Sequence, residues 1–136
     1  GVTMASVLNP YLTFDGTARE AMTFYRSVFG GELKLNTFGE FGAPDSPDAD
    51  RIMHAHLTTD DGFTIMASDV PGEMPYEAPR GISVSLSGDD ERLRSYWDAL
   101  SEGGTVTMPF EKQVWGDEYG MCVDRVGVPW MVDVHS

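Results

Sequence analysis

His54-Ala55-His56 puts two imidazoles two residues apart within Ile52 to Thr59, a run that reads as a β-strand. Alternate side chains of a strand share a face, so His54, His56 and Thr58 point one way and Met53, Ala55 and Leu57 the other. Two imidazoles on one face can serve as an acid/base pair, line a polar cavity or supply part of a metal site. Asp69 ends the next strand-like run, and Glu111 follows Pro109-Phe110. Either carboxylate beside an imidazole would fix its tautomer and strengthen it as a general base. The competing reading for each acid is a solvated surface charge, because the chain carries 22 acidic residues. His135 is expected to fray, with no third ligand near it.

Aromatic and thioether side chains give a second set of candidates. Trp115, Tyr119, Phe110 and Phe38, with Phe41, fall in or beside loops, where they could stack on a planar ligand or meet a cation. Met66, with Thr64 and Ser68 on its face, and Met131 would give an adaptable apolar floor. Phe24, Tyr25, Tyr96, Trp97 and Trp130 sit at helical or strand spacing and read as core. Ser83, Ser85 and Ser87 alternate along one strand face without an assigned histidine partner. Phe29-Gly30-Gly31 follows a helical pattern rather than a strand, so it is no dinucleotide fingerprint.

The elements that must position these groups occur twice. Arg19 to Gly31 and Glu91 to Gly104 are amphipathic segments, each with a central aromatic pair and a double glycine at its end. Phe24-Tyr25 and Tyr96-Trp97 lie 72 residues apart, a period that means two modules. The first reads as a strand at Val7 to Phe14, a helix at about 18–29 capped by Thr17 or Asp15, and a strand at Glu32 to Phe38. A polar loop, Gly39 to Asp50, is expected to be mobile or a lid. A hairpin of Ile52 to Thr59 and Phe63 to Ser68 then turns at Asp60-Asp61-Gly62. The second module repeats this with strands at Ile82 to Ser87 and Thr105 to Met108, a helix at about 90–102, and a hairpin of Glu118 to Val123 and Pro129 to Val134. The expected organisation is one domain, 1–136, made of modules 5–69 and 81–136 joined by a linker, 70–80.

With 136 residues, 41% of them hydrophobic, the chain can bury a core. Its net charge of −13 disfavours nucleic acid and anionic membrane surfaces as partners. Cys122 is the single cysteine, which suits a reducing cytoplasm and reads as a small buried hydrophobe. No stretch approaches the length of a membrane span and no secretory leader is evident.

Asn9-Pro10-Tyr11-Leu12 running into Ala18 to Tyr25, then Phe29-Gly30-Gly31, Ser68-Asp69, Trp115-Gly116 and Asp124 to Trp130, resembles the vicinal oxygen chelate superfamily. That group holds glyoxalase I, bleomycin-resistance proteins and extradiol dioxygenases. Within it the chain is most similar to the PhnB-like branch, often labelled after a demethylubiquinone methyltransferase. The resemblance implies an α+β fold of two βαβββ modules whose curled mixed sheets surround a central cavity. It also implies a divalent metal held from strands one, four, five and eight. Those positions fall here on Pro10, Met66, Ile82 or Ser83, and Met131, none of which suits zinc, iron or magnesium.

The expected function is therefore binding of a small organic ligand, by sequestration or transformation, without the usual metal and with no cofactor. Candidate acid/base residues are His54, His56, Asp69 and Glu111; candidate ligand contacts are Trp115, Tyr119, Phe110, Phe38, Met66 and Met131. The alternative is a metal-dependent lyase, isomerase or dioxygenase with a displaced divalent-metal site on His54 and His56. A homodimer is expected, because open module pairs leave sheet edges exposed.

Overall fold

The computed structural model describes residues 6–136; the expected module start at residue 5 lies outside the described residues. The chain divides into two compact units, the first ending at Tyr76 and the second running Glu77–Ser136. Each is a βαβββ module with one four-stranded mixed sheet.

The first unit contains β1 (Tyr11–Phe14), α1 (Ala18–Phe29), β2 (Glu32–Thr37), β3 (Ile52–Thr58) and β4 (Thr64–Asp69). Its strand order is β1-β4-β3-β2, with β1 parallel to β4 and the other pairs antiparallel. Pro10, which has no N–H to give to a ladder, immediately precedes β1, so the strand is shorter than its apolar run suggests. Helix α1 spans its expected residues, because Ala18, Ala21, Met22, Tyr25 and Phe29 recur at helical spacing and are all buried. It packs on β3, β2 and β4. The facing sheet residues Ala55, Leu57, Ile65 and Ala67 are buried, so one sheet face is core and the other is open.

Asn36 pairs with His54 and Thr37 with Ile52, which makes Met53 the extra residue of a β-bulge. The bulge turns Ile52 into the core, where strict alternation would have placed Met53. The 39–50 segment is folded on itself rather than loose. It opens with a 3-10 turn, Gly39–Phe41, and is tied by Gly39 N–H to Ala49 O, Ala43 N–H to Phe38 O and Ala49 N–H to Ser46 O. The Asp48 carboxylate accepts from Gly72 N–H and faces Arg51, which also pairs with Asp15.

The second unit contains β5 (Val84–Gly88), α2 (Arg92–Ser101), β6 (Thr105–Lys112), β7 (Glu118–Val123) and β8 (Pro129–Val134). The order β5-β8-β7-β6, with β5 parallel to β8, repeats the first sheet. Leu93, Tyr96, Trp97 and Leu100 of α2 are buried, as are Cys122, Trp130 and Val132 of the sheet. Strand β6 runs four residues beyond Met108, through two irregularities that flank it on the way to Glu111. Pro109 lies in the second of them, where a missing donor breaks the ladder.

Candidate functional site

The open face of the first sheet carries most of the polar candidates. Backbone register aligns Tyr11, Met66, His56 and Lys34 across all four strands. One step along the same face, Thr13 lies opposite Ser68, and His54 opposite Asn36. Tyr11 reaches diagonally to His54, its hydroxyl 3.4 Å from Nδ1. The His54 and His56 rings lie 6.4 Å apart. This face offers a phenol, two imidazoles, an amide, hydroxyls and a thioether.

Asp69 is not brought to that face. It is buried on the helix side, where Oδ1 accepts the N–H groups of Gly16 and Ala18 at 2.9 Å and Oδ2 accepts that of Ile52 at 2.9 Å. The Ala18 N–H is one of the orphan donors of the α1 N-terminus. Asp69 thus caps α1 from β4, the part that sequence reading gives to Thr17 or Asp15. Thr17 makes no side-chain cap. Asp124 anchors the second unit in a comparable way, accepting from Val126 N–H, Val128 N–H and Trp130 Nε1–H.

In the second sheet the open face again forms two rows. Ser85, Met131, Met121 and Met108 make one, and Ser87, Asp133, Tyr119 and Glu111 the other. The Tyr119 hydroxyl lies 3.7 Å from Met131 Sδ, and Trp115 meets Tyr119 edge-on at 6.0 Å. Trp115, Tyr119, Met131 and Glu111 therefore belong to one surface. Phe110 does not: its ring stacks on Trp97 of α2 at 5.4 Å, on the side where Gly120 leaves room. Phe38 lies in the first unit, at the end of β2, where the 3-10 turn begins.

Sequence reading missed one grouping. His135 does not fray, because its N–H donates to Gly88 O at 2.7 Å and prolongs the pairing of β8 with β5. Among the described residues, Asp117, Asp133 and His135 form a group in which one donor atom from each lies within 4.8 Å of the others. Burial pushes the Asp133 carboxyl up, reinforced by its contact with Asp117 and opposed by His135. Asp117 is held below the usual carboxylate range, first by hydrogen bonding with Asp133, then by the Ser136 amide, His135 and Trp115. His54 and His56 belong to no such group of three among the described residues.

Residues 6–133 match the family described as 3-demethylubiquinone-9 3-methyltransferase. The chain belongs to this PhnB-like family. It is 30% identical to protein YjdN of Escherichia coli K12, over 93% of this chain and 94% of that one. Its structure is similar to that of protein PA1353 from Pseudomonas aeruginosa, with 40% identity, a TM-score of 0.84 and coverage of 96% and 98% of the two chains. A putative 3-demethylubiquinone-9 3-methyltransferase, PhnB protein, from Bacillus cereus shares 25% identity at a TM-score of 0.74, over 95% and 99%. At 14% identity the same fold recurs, with a TM-score of 0.66, in a glyoxylase/bleomycin resistance protein/dioxygenase domain from Frankia, covering 98% and 100%.

The metal positions that this fold implies fit poorly in the PhnB-like chain. Pro10 lies outside β1 and uses its carbonyl to accept Met66 N–H; Ile82 is exposed and Ser83 offers only a hydroxyl, both ahead of β5. Met66 and Met131 offer only thioethers, which are soft donors unsuited to hard or borderline divalent cations. The donor set at those positions does not fit zinc, iron, manganese or magnesium.

Proposed function

We propose that this PhnB-like chain binds a small organic molecule, neutral or cationic and with an aromatic or polar oxygen-bearing ring, on the open face of its first sheet. The reading is carried by one observation. Tyr11, Met66 and His56 lie in register across three strands, with His54 beside them within reach of the Tyr11 hydroxyl. A face built for solvent alone gains nothing from a half-buried thioether between a phenol and an imidazole. A ligand gains an apolar floor from Met66 and directional hydrogen bonds from Tyr11, His54 and His56.

The charge of −13 supports the exclusion of anions. Methyl transfer is not part of the proposal. The double glycine after α1 is used for packing, with Gly31 set against the Thr58 carbonyl, rather than for cradling a phosphate. Homodimer formation, proposed from the exposed edge strands, is independent of this reading.

A thermal-shift screen of neutral and cationic aromatic compounds, followed by calorimetry on the hits, tests it. At least one compound should stabilise the wild type and bind at least about tenfold more weakly to a His54→Ala, His56→Ala variant, as expected when hydrogen-bonding contacts at the centre of a site are removed. Hits that bind the variant equally well, or a screen with no hits, would overturn the reading.

A further inference from the structure

We propose that Asp117, Asp133 and His135 bind one first-row divalent cation, Zn2+ or Mn2+, on the open face of the second sheet. The site is distinct from the positions at which the fold family carries metal and independent of ligand binding in the first unit.

One hairpin sets the three side chains. Glu118 pairs with Val134 and Tyr119 with Asp133, so the register carried one residue further sets Asp117 beside His135, with Asp133 on the diagonal. A one-residue slip would turn Val132 and Val134 out of the core, so the hydrophobic pattern locks this convergence in place. One donor atom from each side chain lies within 4.8 Å of the other two. Donors bound to a common cation at about 2.0–2.2 Å lie roughly 3–4.4 Å apart. His135 is the exposed member of the three and the one with room to move inward on binding.

A second observation points to a ligand. Asp133 Oδ1 is shielded from solvent, and among the described residues no N–H or hydroxyl donor reaches it. Apart from a proton shared with Asp117, nothing among the described residues satisfies this shielded oxygen, which is costly when ionised, and it sits beside two further metal-competent groups. Among the described residues, the ion pairs seen use other acids: Glu32 with Lys34, Asp15 and Asp48 with Arg51, Asp90 with Arg92, and Glu91 and Glu118 with Arg94. The second carboxylate is oriented for the task. Asp117 Oδ1 accepts Ser136 N–H at 3.2 Å, and the Trp115 side chain also bonds to this carboxylate. Outer partners of this kind hold a metal ligand in place.

Ligand chemistry selects the cation. Two carboxylates with one imidazole suit Zn2+ or Mn2+. Ca2+ takes six to eight oxygens, and Mg2+ sheds its waters reluctantly. Three protein ligands also leave coordination positions open.

The test is calorimetry of Zn2+ and Mn2+ into the untagged, chelator-treated full chain, with metal analysis of the protein as purified. One equivalent of at least one of these cations should bind. Binding should weaken at least about tenfold in Asp133→Asn and in His135→Ala. Asp133→Asn keeps the side-chain shape and His135 is exposed, so circular dichroism should show both variants folded. If either variant is unfolded, the other decides alone. Absence of binding to the wild type, or binding unaffected by the two variants, means the carboxylates hold only a proton between them and overturns the proposal.

Discussion

Met66 and Met131 occupy the same place in two separate sheets. Met66 lies on β4 opposite Tyr11 of the parallel strand β1, and Met131 lies on β8 opposite Ser85 of the parallel strand β5. Both are half-buried on the open face, while the residues that follow them, Ala67 and Val132, are fully buried against the helices. The internal repeat therefore holds at the level of single register positions.

That contrast predicts unequal responses to one substitution made at adjacent residues. Met131→Gln should change unfolding free energy by no more than about 1 kcal/mol, because the side chain is only half-buried on an open face. Val132→Gln forces an amide into the core and should cost several times as much, roughly 3 kcal/mol or more. Urea titrations of the two variants check this. Equal losses would mean that the Met131 face is as closed as the core.

Asp69 and Asp124 should behave as structural anchors. Each buried carboxylate accepts three donors, so replacement by Ala strands three groups at once. The expected loss is about 3–5 kcal/mol for either, since hydrogen bonds to a charged acceptor contribute more than neutral ones and stranded buried donors add to the cost. Under conditions where Asp69→Ala remains folded, ligand affinity on the first face should be unchanged. A loss of affinity without loss of stability would restore Asp69 as an acid/base candidate.

The extent to which this molecule is legible in its sequence follows the distance over which a residue acts. Helix α1 is legible because burial at Ala18, Ala21, Tyr25 and Phe29 is a local periodicity closed by Gly30. The shared face of His54 and His56 is legible for the same reason. Asp69 is not, because its partners Gly16 and Ala18 lie across a parallel strand pairing that no local pattern encodes. Met53 misleads because a bulge, not alternation, governs that end of β3. The Asp117, Asp133 and His135 group lay closer to reach. The turn at Asp124 to Gly127 sets the hairpin register, and extending it past Glu118 would have placed Asp117 beside His135.

Cys122 gives a pH prediction of definite sign. It is 1% exposed, and burial, followed by the charge of Asp124, pushes its thiol up to about 11 from an ordinary value of 9.0. Above pH 9 the unfolded chain releases this proton while the folded chain keeps it, so the folded state binds more protons and stability falls as pH rises. The decline should begin near pH 9, reach up to about 1.4 kcal/mol per unit, and end near pH 11. Cys122→Val should lack this component. Ellman's reagent should react slowly with the native protein at pH 8 and quickly once it is denatured.

The double glycines divide their labour, and this separates two kinds of substitution. The first of each pair, Gly30 or Gly103, has positive φ at the end of its helix. The second stands where a Cβ would overlap backbone: the Thr58 carbonyl at Gly31, the Val123 carbonyl at Gly104. Gly104 has no positive φ, so its need for glycine is purely one of contact between the chain leaving α2 and strand β7. Gly104→Ala should therefore cost well over 2 kcal/mol, because relief requires moving two packed backbones apart. Gly127 has φ of 91° but open space around a Cβ, so Gly127→Ala should cost only about 1–2 kcal/mol of conformational strain. Thermal unfolding of the two variants under one condition gives the ranking. If Gly127→Ala proves the more damaging, close packing is not what the repeated second glycine provides.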